Sequence, residues 1–439
     1  MTIFSDRFFK RDVLIKGSIT YYAALIIMLI MPIYHWYLPP FMALWFVFWL
    51  FAIRQLVEDL KHISLNYKIL FVLFNLFYIW QVAGMVYSDN TEAGWRNIIL
   101  RISLFLFPLV LLSPGELIRK KINTLLRVFA LGTLLYLFIC LGYALYRSLN
   151  LQNGIWSFNP HPPVETWLNY FYGAEFAFLQ HPSYLSMFAI FSFFISTESF
   201  YNRSIKKKFR LLWLAVSICF IISLYLLSSR AEILAAIIAL PVYFLYKYRI
   251  KNLVKIAGLL ILIFLFFLFI LVPVFKSNPR FSYYFADDQN KQLSTIISKE
   301  GRFEIWKSSL HIVRHNFIFG VGTGDIQDEL NKEYKKTEDN NLEIPNNLNA
   351  HNQYLEVLLE NGFIGLMLFI SIFGIMFYIA VKEANLIYLM FIFIVLISFT
   401  FETMLNRLAG VSFFSLFSFL LLNPNTASNP TSEIPADKL

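Results

Sequence analysis

His351 is the side chain in this sequence best suited to moving a proton. It stands in the run His351-Asn352-Gln353-Tyr354-Leu355-Glu356, which continues Leu359-Glu360-Asn361-Gly362. An imidazole with a pKa of about 6.5 can take up a proton near neutral pH, and Glu356 or Glu360 on a following helix would orient the ring or tune its charge. A lone histidine in a loop is more often an ordinary surface residue, so its neighbours decide. Outside the longest loop, the positive residues on the same side of the chain are Arg96, Arg101, Arg147, Arg230 and Arg407, with no lysine among them. A guanidinium fork matches the paired oxygens of a phosphate, which the point charge of lysine does not. Arg230 is the sharpest case. Ser228-Ser229-Arg230 is the whole hairpin between two apolar runs, which places the charge at a lipid boundary, where an ionisable group is a functional candidate by default. The alternative for each arginine is snorkelling at a helix end, with Arg230 set against Glu232.

Other motifs carry less. Gly320-Val321-Gly322-Thr323-Gly324 follows an amphipathic helix, not a strand, and lacks a following Lys-Ser/Thr, so dinucleotide and Walker readings fail and a turn or anion nest is expected. His181-Pro182-Ser183-Tyr184 opens an apolar run, and Glu402 with Arg407 lies in a short loop, either as a charge pair stitching helix ends or as part of substrate binding. No HExxH or CxxC spacing occurs and Asp287-Asp288 are adjacent, so no metal and no other cofactor is expected. Cys140 and Cys219 sit in apolar runs and behave as small hydrophobes.

The elements that must position these residues are membrane helices. The chain has 439 residues, 58% hydrophobic and 15% charged, with a mean hydropathy of +0.60, far from a soluble domain. Apolar runs fall at 18–35, 39–53, 69–87, 97–113, 124–146, 183–199, 211–228, 231–246, 256–274, 362–381, 385–400 and 408–422, which makes an all-α bundle of about twelve transmembrane helices. Several are apolar all round, which disfavours a barrel. The first lacks a cleavage signature and reads as a retained helix. The net charge of +9 signals topology and not nucleic acid. Arg7, Lys10, Arg11, Lys16, the Arg119-Lys120-Lys121 run, Lys206–Lys208 and Lys247 all fall on one side, which makes both termini cytoplasmic.

The same parity divides the chain into helices 1–9 over 1–274, with an outer loop at 148–182; a large outer loop at 275–361; helices 10–12 over 362–422; and a polar cytoplasmic tail at 423–439. Within the large loop, Gly301–Asn316 is amphipathic with Phe303, Trp306, Leu310 and Val313 at helical spacing, and is expected to pack on the membrane surface. Residues 337–350 lack periodicity and read as a mobile loop.

Ser229-Arg230 at an outer hairpin, Gly301-Arg302 with Trp306, the Gly320-x-Gly322-x-Gly324 run, then His351-Asn352-x-Tyr354-Leu355 and Glu360-x-Gly362 before the next span resemble, in order and topology, the O-antigen ligase and polymerase superfamily. The likeness is most specific over about 210–380. It implies a GT-C-like glycosyltransferase in the bacterial inner membrane, acting on the periplasmic face. The implied donor is a glycan on undecaprenyl pyrophosphate, and the implied acceptor is lipid A-core for a ligase or another lipid-linked glycan for a polymerase. Carried over by motif, His351 would be the base and Arg230 and Arg302 the pyrophosphate ligands, with Arg101 added from the outer arginine set. Asn352, Tyr354, Glu356, Glu360, Trp306 and His181 would support them. A direct displacement would invert the anomeric centre. The single dominant loop before the histidine leans toward a ligase; the aromatic 148–182 segment would suit a polymerase. A flippase or transporter is the rival outside the class, but it should carry charge at mid-membrane, where these spans have almost none.

Overall fold

The computed structural model describes residues 19–51, 61, 63–152, 154–163, 168–250, 252, 254, 256, 258, 302–338 and 347–422. The expected span at 256–274, the adjoining loop to Gly301 with Asp287 and Asp288, and the tail from 423 lie almost entirely outside those residues.

The chain is helical. α1 (Ile19–Ile30) and α2 (Leu38–Leu50) are followed by α3 (Leu65–Ala83), α4 (Thr91–Leu100), α5 (Ser103–Leu112), α6 (Gly115–Lys120) and α7 (Ile122–Ser148). A two-stranded antiparallel ribbon, β1 (Leu149–Gln152) and β2 (Ile155–Phe158), leads to the one-turn α8 (Gly173–Phe176). Then come α9 (Pro182–Tyr201), α10 (Lys207–Leu227), α11 (Arg230–Lys247), α12 (Arg302–His315), α13 (Ile326–Glu338), α14 (Gln353–Lys382), α15 (Leu386–Phe401) and α16 (Leu408–Leu420).

Five stretches are long and apolar enough to cross a membrane: Leu65–Tyr87, Thr91–Leu112, Ile122–Ser148, Lys207–Leu227 and Gln353–Lys382. Only 28% to 50% of the most apolar window of each is buried within the protein, so apolar surface is left over on every one. Val72, Leu76 and Ile79 on α3 and Ile218 and Ile222 on α10 are exposed. This is a multi-pass helical membrane protein, because water would not tolerate that surface while lipid chains do.

α16 is the hub. Every residue from Ala409 to Leu420 is buried, as expected of a helix that is apolar all round. Phe413 and Phe417 meet Phe129 of α7, Phe191 of α9 and Phe391 of α15 with ring centroids 4.9 to 6.0 Å apart. On its other face Phe414 meets Phe74, Phe373 and Phe399 at 5.3 to 5.5 Å. These are the spacings of offset and edge-to-face pairs. Ser415 and Ser418 donate to carbonyls one turn back, so the small polar residues leave no unmet hydroxyl.

Two expectations change here. The run predicted as one span over 97–113 falls mostly within the Thr91–Leu112 stretch but has a local break at Arg101 and Ile102, with Arg101 at φ −92° and ψ 7° between α4 and α5; the Arg101 guanidinium lies in a buried polar network described below. The apolar stripe of α12 is also rotated. Ile305, Ile312 and Val313 are buried with Ile326, Leu330 and Tyr334 of α13 and with Ala350 and Leu359, while Phe303 and Leu310 are exposed.

Candidate active site

His351 sits on a segment fixed from both sides. Just before it, the Ala350 carbonyl accepts from the Trp306 indole at 2.9 Å and the Ala350 N–H donates to Glu356 Oε2 at 3.1 Å. Just after it, the Asn352 side chain caps α14 by accepting from the Leu355 N–H at 3.0 Å, and Gln353 Oε1 accepts from the Leu405 N–H at 2.7 Å. Asparagine at that position satisfies an orphan donor of the first helical turn. Between these clamps His351 itself has φ 46°, a left-handed conformation that non-glycine residues adopt rarely and that persists where surroundings over-determine it.

The imidazole is aimed by Glu402. Its Nδ1 lies 3.2 Å from Glu402 Oε1, and since a carboxylate only accepts, Nδ1–H is the donor, which in a neutral ring puts the lone pair on Nε2. The histidine side chain is 26% exposed and the glutamate 12%, so the ring is reachable while its partner is shielded. Burial would raise the Glu402 carboxyl, but the hydrogen bond and charge of His351, the charge of His181 and the Thr403 N–H outweigh it and hold the group below its ordinary value. Glu402 is therefore the anion the imidazolium needs.

Glu356 and Glu360, expected on the histidine, are elsewhere. Glu356 holds Ala350 and accepts from Asn406 Nδ2 at 2.6 Å. Glu360 is buried and paired with Arg101 at 2.6 Å. Arg101 also donates to Gln81 at 2.9 Å and to Asn406 at 2.7 Å and is 3% exposed. That corrects the expectation that Arg101 is a phosphate ligand: both NH groups are committed inside the protein, where a substrate cannot reach. Gln81, Arg101, Glu360, Asn406 and Glu356 form one chain of hydrogen bonds that ends at the peptide next to His351, and a network of this kind, with Gln81 Nε2 and Arg101 Nε left without partners, makes each remaining bond costly to break.

The glycine run supports the same region by close backbone approach, not as an anion nest. Val321 N–H donates to the Leu359 carbonyl at 2.8 Å and Gly322 N–H to that of Glu360 at 3.0 Å. Gly362 kinks α14 with φ 64°, and a Cβ there would fall 2.2 Å from the Ile318 carbonyl oxygen. At Gly322 a Cβ would fall 2.4 Å from Ser88 Oγ. These amides are occupied by protein carbonyls, so they do not face an anion. Asp325 completes the lock by accepting from the Asp89 and Asn90 N–H groups at 2.9 and 2.7 Å.

The other expected residues distribute as follows. His181 caps α9 and is exposed, within electrostatic reach of Glu402. Buried Tyr184 is within such reach of Glu402, Arg407 and Glu232, which gathers α9, α11 and the α15–α16 connection at the His351 end of the bundle. Arg230 is half-buried at the first turn of α11, after Ser228 in the left-handed conformation; Ser229 Oγ donates to buried Glu232. Arg302 is half-buried at the start of α12, one turn before Trp306 and so on the same face. Tyr354 donates to the Leu396 carbonyl at 3.0 Å and braces α14 on α15. Arg147 pairs with Glu175 at 2.9 Å and stacks on Tyr170, bracing the connection between α7 and α9. Residues 347–350, expected to be mobile, are pinned: the Leu348 carbonyl accepts from Gln327 and Tyr334, while 339–346 lie outside the described residues. Among the described residues no three His, Cys, Asp or Glu side chains converge as metal ligands would.

The arrangement joins a carboxylate-oriented histidine at one end of a helical membrane bundle to arginines on the elements around it. Residues 215–370 match the family model described as O-antigen ligase, which bears out the resemblance to the O-antigen ligase and polymerase superfamily. The matched segment runs from α10 into α14 and includes Arg230, Arg302, Trp306, His351 and Glu360, while Glu402 lies beyond it. No curated protein matches the chain. The family supports activity of the ligase or polymerase type, with a lipid-linked glycan and an acceptor as partners.

Proposed function

We propose that the chain is a glycosyltransferase of the bacterial inner membrane, working on the periplasmic face, with both termini cytoplasmic and about twelve spans. It moves a glycan from undecaprenyl pyrophosphate to an acceptor hydroxyl, most readily as an O-antigen ligase acting on lipid A-core. The observation that carries this reading is the His351 Nδ1 to Glu402 Oε1 contact of 3.2 Å, which leaves Nε2 free to accept the acceptor's proton.

In the step proposed, the acceptor oxygen attacks the anomeric carbon from the face opposite the leaving group, its proton passes to His351 Nε2, and the bond between that carbon and the pyrophosphate oxygen breaks. The electron pair leaves with the pyrophosphate, the configuration inverts, and Glu402 balances the imidazolium. Arg230 and Arg302 stabilise the departing charge. Fixed guanidinium groups near lipid are worth more to that charge than they would be in water. No metal is assigned a role.

The test is transfer by purified protein from the lipid-linked donor, with and without lipid A-core. Product only when lipid A-core is present supports the ligase; chains that lengthen without it make the protein a polymerase of the same superfamily. His351→Ala should lower turnover by about 10²–10⁴-fold, the usual contribution of a positioned base, with donor binding kept. Undiminished transfer by that variant would remove His351 from the chemistry.

A further inference from the structure

We infer that the β1–β2 ribbon lies in the membrane interface on the His351 side, with one face inserted among lipid headgroups and upper acyl chains. The register pairs Leu149 with Phe158, Asn150 with Ser157, Leu151 with Trp156 and Gln152 with Ile155. Side chains alternate faces along a strand and cross-strand partners share one. One face therefore carries Leu149, Leu151, Trp156 and Phe158, and the other carries Asn150 and Ser157, with Ile155 at the turn.

Among the described residues, little protein covers that apolar face. Its four side chains are 49% to 67% exposed, although Phe158 touches Phe171 at a centroid distance of 6.2 Å. An isolated two-stranded hairpin is marginal in water, and an antiparallel ribbon with one apolar face needs a surface to lie on.

The surface available is the bilayer. The ribbon begins at the residue after α7, a membrane-length helix, and returns to it, since Asn159 N–H donates to the Ser148 carbonyl at 2.8 Å. The last turns of α7 present exposed Tyr143, Leu145 and Tyr146, so the apolar ribbon continues the lipid-facing surface of that helix. The connection it opens ends at His181, within reach of Glu402, which fixes the side of the membrane. Tryptophan and its aromatic neighbours favour the headgroup level.

A glycan fits the same face poorly. Sugar recognition needs polar groups around a stacking ring, whereas here Leu149 and Leu151 flank the aromatics and Asn150 lies on the opposite face. The placement gives the ribbon a role in holding the outer connection at the depth where a lipid-linked substrate presents its headgroup.

The experiment uses full-length protein with Cys140 and Cys219 replaced by alanine and one new cysteine, Trp156→Cys, Leu151→Cys or Asn150→Cys, labelled with nitrobenzoxadiazole and reconstituted into phosphatidylcholine and phosphatidylglycerol vesicles. Labels at 156 and 151 should emit to the blue of the label at 150. They should also be quenched several-fold more by acyl-chain-linked nitroxide than by aqueous iodide, with the order reversed at 150. Equal iodide quenching at all three positions overturns the proposal. So does protection at 156 that appears only with added soluble glycan, or that rises with protein density in the vesicle, since those results assign the face to carbohydrate or to a second copy of the chain.

Discussion

Glu402 Oε1 stands 3.2 Å from Nδ1 of His351, a contact that joins residues 51 apart in sequence. The carboxylate arrives from the turn between α15 and α16, and the histidine from the segment leading into α14. Two independent elements therefore have to be in place before the imidazole is oriented. Glutamine at 402 keeps an acceptor oxygen for Nδ1–H but removes the charge that balances an imidazolium. Glu402→Gln is expected to lower kcat by about 10–100-fold, the range seen when an orienting partner of a histidine is lost, with the KM for donor nearly unchanged. Steady-state kinetics of the purified variant check this, and an unaltered kcat would leave the contact with a structural role only.

The same pair predicts a pH dependence of stability. Glu402 is held below its ordinary range in the folded protein, with burial opposing and His351, His181 and the Thr403 N–H prevailing. A carboxyl depressed on folding contributes stability that is fully present above the unfolded value, about 4.3, and is lost as pH falls through the folded value. The gap in Tm between the native protein and Glu402→Gln should therefore shrink as the buffer is taken from about 5 to below about 4.3. Thermal unfolding in detergent across that range measures it. A gap that widens as pH falls below about 4.3 contradicts the assignment.

The sequence announced membrane-length helices because lipid imposes long apolar runs, and α7 and α10 stand where those runs predict. His351 at the entry to α14 and Arg230 at the α10–α11 hairpin were legible for the same reason: short polar islands between such runs have few places to go. Partnership was not legible. Glu402 reaches His351 from a distant turn, and nothing in local periodicity separates it from Glu356 and Glu360, which lie closer in sequence but serve Ala350 and Arg101. Arg101 was misread because topology fixes only the end of a helix on which a residue lies, not the direction it faces. The missed signal was Gln81, an amide near the end of the apolar α3, which is buried, needs a partner and finds it in Arg101.

Arg101 consequently predicts a loss of stability and not of donor affinity. Arg101→Met leaves Glu360 buried without its counter-charge, and breaking such a pair costs about 3–5 kcal/mol. Arg101→Met is expected to lower Tm sharply and reduce yield. Adding Glu360→Leu, which removes the stranded carboxylate, should recover much of the loss. Donor binding by the folded fraction of the double variant, measured by equilibrium titration, should stay within about threefold of native, under 1 kcal/mol. A variant that is stable but no longer binds donor would return Arg101 to the substrate site.

Arg230 is where charge and geometry can be separated. It stands half-buried at the first turn of α11, on a hairpin fixed by left-handed Ser228 and by the Ser229 to Glu232 contact, so its backbone has little freedom to compensate for a changed side chain. A lysine there keeps one positive charge but offers a single ammonium in place of a planar fork. If Arg230 holds two oxygens of a pyrophosphate as it departs, Arg230→Lys loses an interaction that strengthens as charge develops. Turnover should then fall by about 10²-fold or more, the scale of removing one transition-state donor, while the Tm stays near native because a snorkelling lysine serves a helix end equally well. Arg407→Lys, on an exposed arginine at the start of α16, serves as the comparison, with a fall of less than tenfold expected, since a change below about 1.4 kcal/mol is what an exposed charge swap produces. Equal turnover by native protein and Arg230→Lys would mean that this arginine anchors the hairpin at the lipid boundary and takes no part in holding the donor.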